Sequence, residues 1–374
     1  MAPALGSYTR DASHCGSWYT NDPTQLQGQL GYWLTEASSS SSSQGPAPSL
    51  ADFSEHNSSS ARGGASTSSS SSTSVCMGII APHAGYSYSG PTAAYSYQHL
   101  LHALQNHTVE RIVVLHPSHH VYLTAVAFTG AKEIQTTLGP IRCDVDFMRK
   151  VEQSTMEAGL PVTVMKKDVD EAEHSGEMQY PYIRYCLEKA GMLDIPIAVM
   201  MVGALPTQQE ANFGKVLRKC FLEEETPKSS NSKSNFFVVS SDFCHWGQNF
   251  DYCPCPPQNY PGFQGRLGLR DLENWSKISQ YVAELDSEGI DLICSQEPDA
   301  FVRYLRKTQN TICGRHPISL FLFVLDAATE KQDSGKGRSP FHVEFEHYEQ
   351  SSSQVQSFCD SSVSYVAMKV SRQF

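Results

Sequence analysis

The apolar residues of the chain form short continuous runs that alternate with segments of helical spacing. The runs are rich in Val and Ile, which is typical of strands covered on both faces. Strands are predicted at residues 75–81, 111–115, 195–202, 236–240 and 363–367, and helices at residues 92–105, 144–157, 182–190, 208–222, 272–285, 297–307 and 318–328. This alternation predicts an α/β fold, a single domain with a largely parallel central sheet flanked by helices.

One long segment does not fit this pattern. Residues 38–74 contain 18 serines in 37 positions, mixed with Gly, Pro, Ala and Thr. Such a segment buries too little apolar surface to offset the entropy lost on ordering it. We therefore expect a disordered insertion between an N-terminal part of the domain, residues 1–37, and its main part, residues 75–374. Where polar, Pro and Gly residues accumulate again, we expect loop insertions near residues 223–235, 251–265 and 331–340.

The net charge, the length of the apolar runs and the cysteine content limit which kinds of protein this chain is expected to be. The chain has 28 basic and 39 acidic residues, a formal net charge of −11, so nucleic acid is not expected as a partner. No apolar run approaches the roughly 18 residues that a membrane-spanning helix needs, so no membrane span is expected. The N-terminus lacks an apolar signal core, and the eleven cysteines are expected to be reduced thiols of a cytoplasmic protein.

Three predicted strands lead into loops that carry histidine. His83 follows the first strand, His116 and His119 follow the second, and Asp242 and His245 follow the fourth. In α/β sheets, ligands bind in the crevice beyond the carboxyl ends of the strands. A single histidine in such a loop commonly hydrogen-bonds a carbonyl group, but its recurrence at three strand ends favours one shared site.

Neutral imidazoles from separate loops, together with one anionic ligand, form a metal site with open coordination positions. The residues alone do not decide which group is the anionic ligand, because Asp242, Glu177 or a thiolate could serve as it. Cys313 is the candidate thiol, since it lies just before a helical run and beside Arg315, and both features stabilise a thiolate. The alternative is that Cys313 is an ordinary small core residue. His174 and Glu177 border the next helix and are further candidates for a pocket.

Seven short blocks of the chain resemble the Memo family, which is named for mediating cell motility driven by receptor tyrosine kinases. The blocks follow one another in the family's order and lie at residues 12–19, 80–86, 117–120, 173–175, 238–247, 310–317 and 360–365. The resemblance extends from about residue 11 to the C-terminus and is interrupted only by the serine tract and the loop insertions.

The resemblance implies a fold like that of class III extradiol dioxygenases, in which two His and one Glu hold Fe(II). The metal ligands that it implies in this chain are His83, His119 and Cys313, so a thiolate replaces the carboxylate. It also implies that Asp242 and His245 border the metal as catalytic residues, with His245 at the position of the dioxygenase acid and base. Further pocket or substrate-binding residues are expected at His14, Trp18, Tyr86, His174, Glu177 and Arg315.

A function follows from the same resemblance. It implies a redox protein of cell signalling and motility that holds one copper or iron ion and reduces O2 to reactive oxygen species, in the cytoplasm and the nucleus. A thiolate is a softer ligand than a carboxylate, which shifts the metal preference towards Cu(I), zinc or a redox-labile iron centre, so ring cleavage is not expected. Zinc is less favoured, because a structural zinc site ordinarily has four protein ligands and only three are implied here. His116 and Cys15 depart from the family pattern, where a small residue and an alanine are usual.

The alternative function is a non-catalytic adaptor. In this interpretation the same pocket binds a phosphotyrosine peptide of a signalling partner, or another anion. Imidazolium groups, Arg315 and helix N-termini are the groups suited to hold such a ligand.

Overall fold

The computed structural model describes residues 3–43, 74–223, 233–258, 260–261, 272–326, 339–352, 355, 357 and 359–373. The strands in these residues are β1 (Tyr8–Arg10), β2 (Ser74–Ala81), β3 (Val109–Pro117), β4 (Val126–Phe128), β5 (Ala131–Ile134), β6 (Ile141–Arg142), β7 (Val162–Val164), β8 (Ile197–Val202), β9 (Ser234–Ser240), β10 (His245–Gly247), β11 (Phe341–Gln350) and β12 (Ser361–Gln373). The helices are α1 (Pro23–Ser43), α2 (Tyr86–Gln105), α3 (Val145–Glu157), α4 (Lys167–Ala172), α5 (His174–Glu177), α6 (Tyr180–Ala190), α7 (Thr207–Arg218), α8 (Leu272–Cys294), α9 (Pro298–Thr308) and α10 (Arg315–Leu325).

Most of the strands belong to one large sheet with the order β10-β12-β2-β9-β3-β8-β4-β7, in which β11 also pairs with β12. Its centre, β2-β9-β3-β8, is parallel. The pairs formed by β12 and the pair of β4 with β8 are antiparallel. A small separate sheet contains β1, β5 and β6. The prediction of a single α/β domain with a largely parallel central sheet flanked by helices is confirmed.

The parallel centre consists of the four strands predicted from continuous apolar runs. Nearly all of their residues are buried, because helices pack on the sheet. One group of helices contains α1, α2 and α6, and α2 packs on β2 and β12. A second group contains α3, α7 and α10, and α10 packs on β3, β8 and β9. Buried aromatic rings join α2 to α6 within the first group, as in the stacked pair of Tyr97 and Tyr182, whose centroids lie 4.5 Å apart.

Helix α2 begins at Tyr86 rather than at residue 92, where the sequence placed its start. Pro91 lacks a backbone N–H, which is a local signal against a helix interior, yet it lies inside the helix. Tertiary contacts hold the additional first turn. The Tyr86 N–H donates to the Trp18 carbonyl over 3.0 Å, and the Tyr86 hydroxyl donates to the Met178 carbonyl over 2.8 Å.

The serine tract is partly helical at its start, since α1 continues to Ser43. The hydroxyls of Ser38, Ser39 and Ser40 donate to carbonyls four residues earlier, which satisfies them within the helix. The rest of the predicted insertion, up to residue 73, lies outside the described residues. The same holds for most of the predicted loop insertions, namely residues 224–232, 259, 262–265 and 331–338. Within the described part of the chain, no helix has the length and apolar character needed to cross a membrane.

The packing of α7 on α10 yields a prediction. A Cβ atom added at Gly214 would lie 2.5 Å from the Phe323 Cβ and 2.8 Å from its carbonyl carbon, so the two helices approach closely through this glycine. We expect Gly214→Ala to lower the free energy of unfolding by about 1–3 kcal/mol, measured by urea denaturation.

Gly28→Ala is the matched control, because Gly28 also lies in a helix but has no atom within 4 Å of an added Cβ. Alanine there should raise stability by roughly 0.5–1 kcal/mol. Equal effects of the two substitutions would contradict the close approach of the helices.

Candidate metal centre

Three neighbouring strands of the parallel centre end at the same edge of the sheet. β9 lies between β2 and β3, with Ala81 paired to Ser240 and Leu115 paired to Val239. The chain leaves β2 towards His83, leaves β9 towards Asp242, and leaves β3 towards His119. Segments far apart in sequence therefore meet in space, as expected for the carboxyl ends of parallel strands.

The side chains of His83, His119 and Cys313 form a compact group. His83 Nε2 lies 3.3 Å from His119 Nε2 and 3.1 Å from Cys313 Sγ, and one donor atom from each residue lies within 4.8 Å of the other two. His83 is buried, whereas His119 and Cys313 are accessible from a cavity of about 400 Å³. Two imidazole nitrogens and one sulfur at these distances can serve as ligands of one metal ion.

Close backbone approach places Cys313 at the end of β9. The Asp242 N–H donates to Cys313 Sγ over 3.2 Å, and the Gly314 N–H donates to the Ser241 hydroxyl over 3.1 Å. A Cβ atom at Gly314 would collide with the Ser241 side chain, so glycine is required there. Burial, together with the charge of Asp242, raises the pKa of the Cys313 thiol well above its ordinary value. The thiol is therefore protonated until a cation displaces the proton.

The imidazoles at the centre are poor bases. Burial, reinforced by the neighbouring His119 and His174, lowers the pKa of His83 well below its ordinary value. Burial also lowers the pKa of His119, and it lowers that of His174 to about 4. The His174 ring stacks on His119, with centroids 5.0 Å apart, and Trp18 stacks on the other side of His174 at 4.4 Å. At neutral pH these rings are uncharged, which leaves nitrogen lone pairs available to a metal.

Asp242 and His245 lie beside the group. The Asp242 carboxylate accepts the His83 N–H over 2.7 Å, and burial raises its pKa to about 6 although His245 opposes the shift. The charge of His245 contributes to the lowered pKa values of both His83 and His119. His245 Nδ1 lies 2.8 Å from the Phe243 carbonyl and 3.2 Å from the Thr311 carbonyl, so Nδ1 carries the proton and Nε2 is free.

The predicted pocket residues lie at different places around the group. His14 and Trp18 lie beside His174, with ring centroids 6.0 and 4.4 Å from it, at the rim of the group. Arg315 is exposed and lines the 400 Å³ cavity together with His119 and Cys313. Tyr86 is 3% exposed, and its hydroxyl is bonded to the backbone, so it supports the core beneath the site.

Glu177 lies behind the rim and organises it. Its carboxylate accepts hydrogen bonds from the His14 N–H at 2.8 Å, from the Tyr19 hydroxyl at 2.9 Å and from Arg10 Nη1 at 2.8 Å. Burial alone would raise its pKa, but His14 and Arg10 outweigh burial and lower the pKa to about 2. Glu177 therefore acts as an ionised anchor for the segment that carries His14 and Trp18.

Three residues of the site were not identified from the sequence. Glu173 accepts the His119 and His120 N–H groups and can form a second metal-binding group with His119 and His174. Ser240 lies 2.8 Å from His83 Nδ1. Asp286 is buried and bonded to Asn310, at the start of the Cys313 loop. A sequence signal could have identified Asp286, because it lies four residues from Val282 and from Ile290 and therefore on the buried face of α8.

The depressed pKa of Glu177 yields a prediction about acid stability. A carboxyl group whose pKa falls from 4.5 to about 2 on folding contributes roughly 3 kcal/mol above pH 4.5, and this contribution is lost as the pH falls towards 2. We expect Glu177→Gln to be less stable than the wild type at pH 7 by up to this amount, with the difference shrinking towards pH 2. Denaturant unfolding across this pH range measures both effects.

Glu188→Gln is the control, because Glu188 forms an exposed ion pair with Arg184 that contributes little. An unfolding free energy of Glu177→Gln that follows that of the wild type at every pH would contradict the anchoring role.

Comparison with known proteins identifies the lineage. A family model described as "Memo-like protein" matches residues 10–369. The chain is 37% identical to "Protein MEMO1" of Xenopus laevis, over 96% of this chain and 97% of the relative, and 36% identical to "Protein MEMO1" of Homo sapiens, over 96% of each. It is also 33% identical to "Protein memo-1 homolog" of Caenorhabditis elegans, over 97% of this chain and 83% of the relative.

One solved structure is similar over much of its length. It is an uncharacterized protein, JW3007, from Escherichia coli K12, with a TM-score of 0.43 and 15% identity, covering 77% of this chain and 99% of that one. The family model and the curated relatives both span nearly the whole sequence and agree with each other. The chain belongs to the Memo family.

Proposed function

We propose that this chain is a metal-dependent redox protein that holds one copper or iron ion at His83, His119 and Cys313. The observation that carries the proposal is the spacing of these side chains, with His83 Nε2 3.3 Å from His119 Nε2 and 3.1 Å from Cys313 Sγ. Membership of the Memo family supports a role in cell signalling and motility, in the cytoplasm and the nucleus.

The chemistry of the donor set fits copper or iron. Neutral imidazoles and a thiolate suit Cu(I) and redox-active iron, and soft sulfur in place of a carboxylate argues against ring-cleaving dioxygenase chemistry. Three protein ligands leave at least one coordination position open. A structural zinc site ordinarily has four protein ligands, which makes zinc the weaker candidate.

The bound metal would supply the electron transfer that reduces dioxygen to reactive oxygen species. The protein itself would position the reacting molecule and deliver protons to it. The cavity of about 400 Å³ beside His119 and Cys313 gives a small molecule access to the open side of the group. The Nδ1–H of His245 donates to two backbone carbonyls, so Nε2 is the atom that would take up and release a proton. Asp242 fixes the backbone of His83 by accepting its N–H.

The alternative is a phosphotyrosine or other anion adaptor that uses the same cavity. Arg315 favours it, because its side chain is exposed on the cavity wall beside the metal-binding group. The lowered pKa values of His83, His119 and His174 count against it, since these rings are neutral and attract no anion at pH 7. The redox metalloprotein is therefore the better supported function.

We expect protein purified without chelators to contain about one equivalent of copper or iron, measured by plasma mass spectrometry. Cys313→Ser should lose the metal and, with it, oxidant production in the presence of a thiol reductant, because the anionic soft ligand is gone. His245→Gln should keep the metal but produce oxidant more slowly, by about 10²–10⁴-fold if proton delivery limits the rate.

Cys76→Ser is the matched control, because Cys76 is also half-buried but bonds the Gly78 carbonyl in β2, away from the group. It should retain metal and activity. A metal content that is the same in Cys313→Ser and in the wild type would refute the proposed ligand set.

A peptide titration separates the two functions. If the pocket is an adaptor in its own right, a fluorescent phosphotyrosine peptide binds metal-free protein as tightly as loaded protein, and Arg315→Gln weakens it. We expect instead that chelation abolishes any such binding, because the cavity of the metal-free protein presents no positive charge apart from Arg315.

A further inference from the structure

The Ser240 hydroxyl at the end of β9 has three hydrogen-bond partners. It lies 2.8 Å from the Ser175 carbonyl oxygen, 2.9 Å from Gln179 Nε2 and 2.8 Å from His83 Nδ1. A hydroxyl group has one proton to donate and two lone pairs with which to accept. All three capacities of Ser240 are therefore in use, and the direction of each bond can be deduced from the chemistry of the partner.

The direction of the Gln179 bond is fixed by its other contacts. Gln179 Nε2 lies 3.0 Å from the Pro82 carbonyl, which only accepts, and Oε1 lies 2.6 Å from the Tyr97 hydroxyl, which donates to it. The amide is therefore oriented with its NH2 group towards Pro82 and Ser240. Gln179 donates to Ser240 and occupies one of the two lone pairs.

The direction of the Ser175 bond follows from the partner alone. A carbonyl oxygen has no proton, so the Ser240 hydroxyl donates its single proton to Ser175. One lone pair of Ser240 then remains, and it faces His83 Nδ1. The contact is satisfied only if His83 Nδ1 carries a proton and donates it.

From this chain of bonds we infer that Ser240 and Gln179 are positioning residues that hold His83 as the Nδ1–H tautomer, with the bare lone pair of Nε2 directed at Cys313 and His119. The inference rests on the proposed metal function for its purpose, since a ligand histidine must offer an unprotonated nitrogen. If Ser240 turned its proton to His83 instead, Nε2 would carry the proton and the group could not bind a metal through it.

The arrangement ties the centre to the core of the protein. Tyr97 lies in α2 and is fully buried, so the orientation of Gln179 is set by packing and not by solvent. Gln179 immediately precedes α6, and Ser175 lies in α5. Segments far apart in sequence thus decide which nitrogen of His83 carries the proton, before any metal arrives.

The tautomer can be observed directly in metal-free, full-length protein. Nitrogen-15 NMR of histidine-labelled protein distinguishes a protonated from a bare ring nitrogen, and His83→Gln identifies the His83 signals by their loss. We expect Nδ1 of His83 to be protonated and Nε2 to be bare at pH 7. A protonated Nε2 with a bare Nδ1 would overturn the inference.

Substitution at Ser240 tests the cause. Ser240→Ala removes the acceptor, so His83 should populate both tautomers, and Cu(I) affinity, measured by chelator competition, should fall by about 10–100-fold. Ser240→Thr keeps a hydroxyl and should restore the single tautomer. Ser96→Ala is the control, because Ser96 is also buried and donates to a strand carbonyl, that of Ile80, but does not contact His83.

The outcomes separate this inference from the proposed function. If Ser240→Ala retains a fully protonated Nδ1 in His83, Ser240 does not set the tautomer and the inference fails, whatever the metal content. If the wild type has the expected tautomer, responds to Ser240→Ala and Ser240→Thr as described, but binds no copper or iron, the inference stands and the proposed function fails.

Discussion

Two imidazole nitrogens that lie 3.3 Å apart cannot both carry a proton, and the rest of the centre depends on this constraint. Burial acts in the same direction, because a buried ring loses the hydration that would stabilise its charge, and it is the main reason for the low pKa of His83. The thiol of Cys313 is held in its neutral form by the same burial and by Asp242. Without a metal, the two imidazoles and the thiol are therefore uncharged, and they can lie at the end of a buried sheet without a counterion.

Buried carboxyl groups position the histidine loops and are not themselves among the proposed metal ligands. Asp242 accepts the backbone N–H of His83, Glu173 that of His119, and Glu177 that of His14. Asp286 holds the Cys313 loop in a related way, because it accepts the side-chain amide N–H of Asn310. Each histidine loop is thus fixed through its main chain, which leaves the imidazole side chains free to face one another. Backbone bonds to a buried carboxylate resist rotation better than exposed ion pairs do.

The sequence was sufficient to predict the fold class, which follows from local pattern, and to name the edge of the sheet where the histidine loops meet. Continuous apolar runs predict the four parallel strands, and the carboxyl ends of such strands are where ligands bind. His83 and His119 follow two of those strands, whereas Cys313 lies just before α10, and it was the resemblance to the family that implied the three as one set of ligands. The predicted start of α2 was wrong, because the contacts of Tyr86 with Trp18 and Met178 are tertiary. These contacts override the local signal of Pro91.

The roles of the supporting residues could not be predicted from the sequence in the same way, although Glu177 was named as a candidate pocket residue. Glu173 and Glu177 stand in one acidic stretch with Asp168 and Glu171, and composition does not distinguish a buried carboxylate from a solvated one. Their roles depend on which backbone N–H groups of distant segments reach them. Ser240 presents the same difficulty, because a serine at the end of a strand has no signature until Gln179, Ser175 and His83 are seen around it.

The electrostatics also relates the two candidate functions to each other. The desolvation that keeps His83, His119 and His174 neutral removes the imidazolium charges on which an anion-binding pocket would depend. A metal ion restores positive charge at the same point, next to Arg315 on the cavity wall. Recognition of an anionic side chain in this cavity would therefore require the metal-loaded protein. Redox chemistry and peptide binding would then be two consequences of one bound cation, and the loss of Cys313 would abolish both.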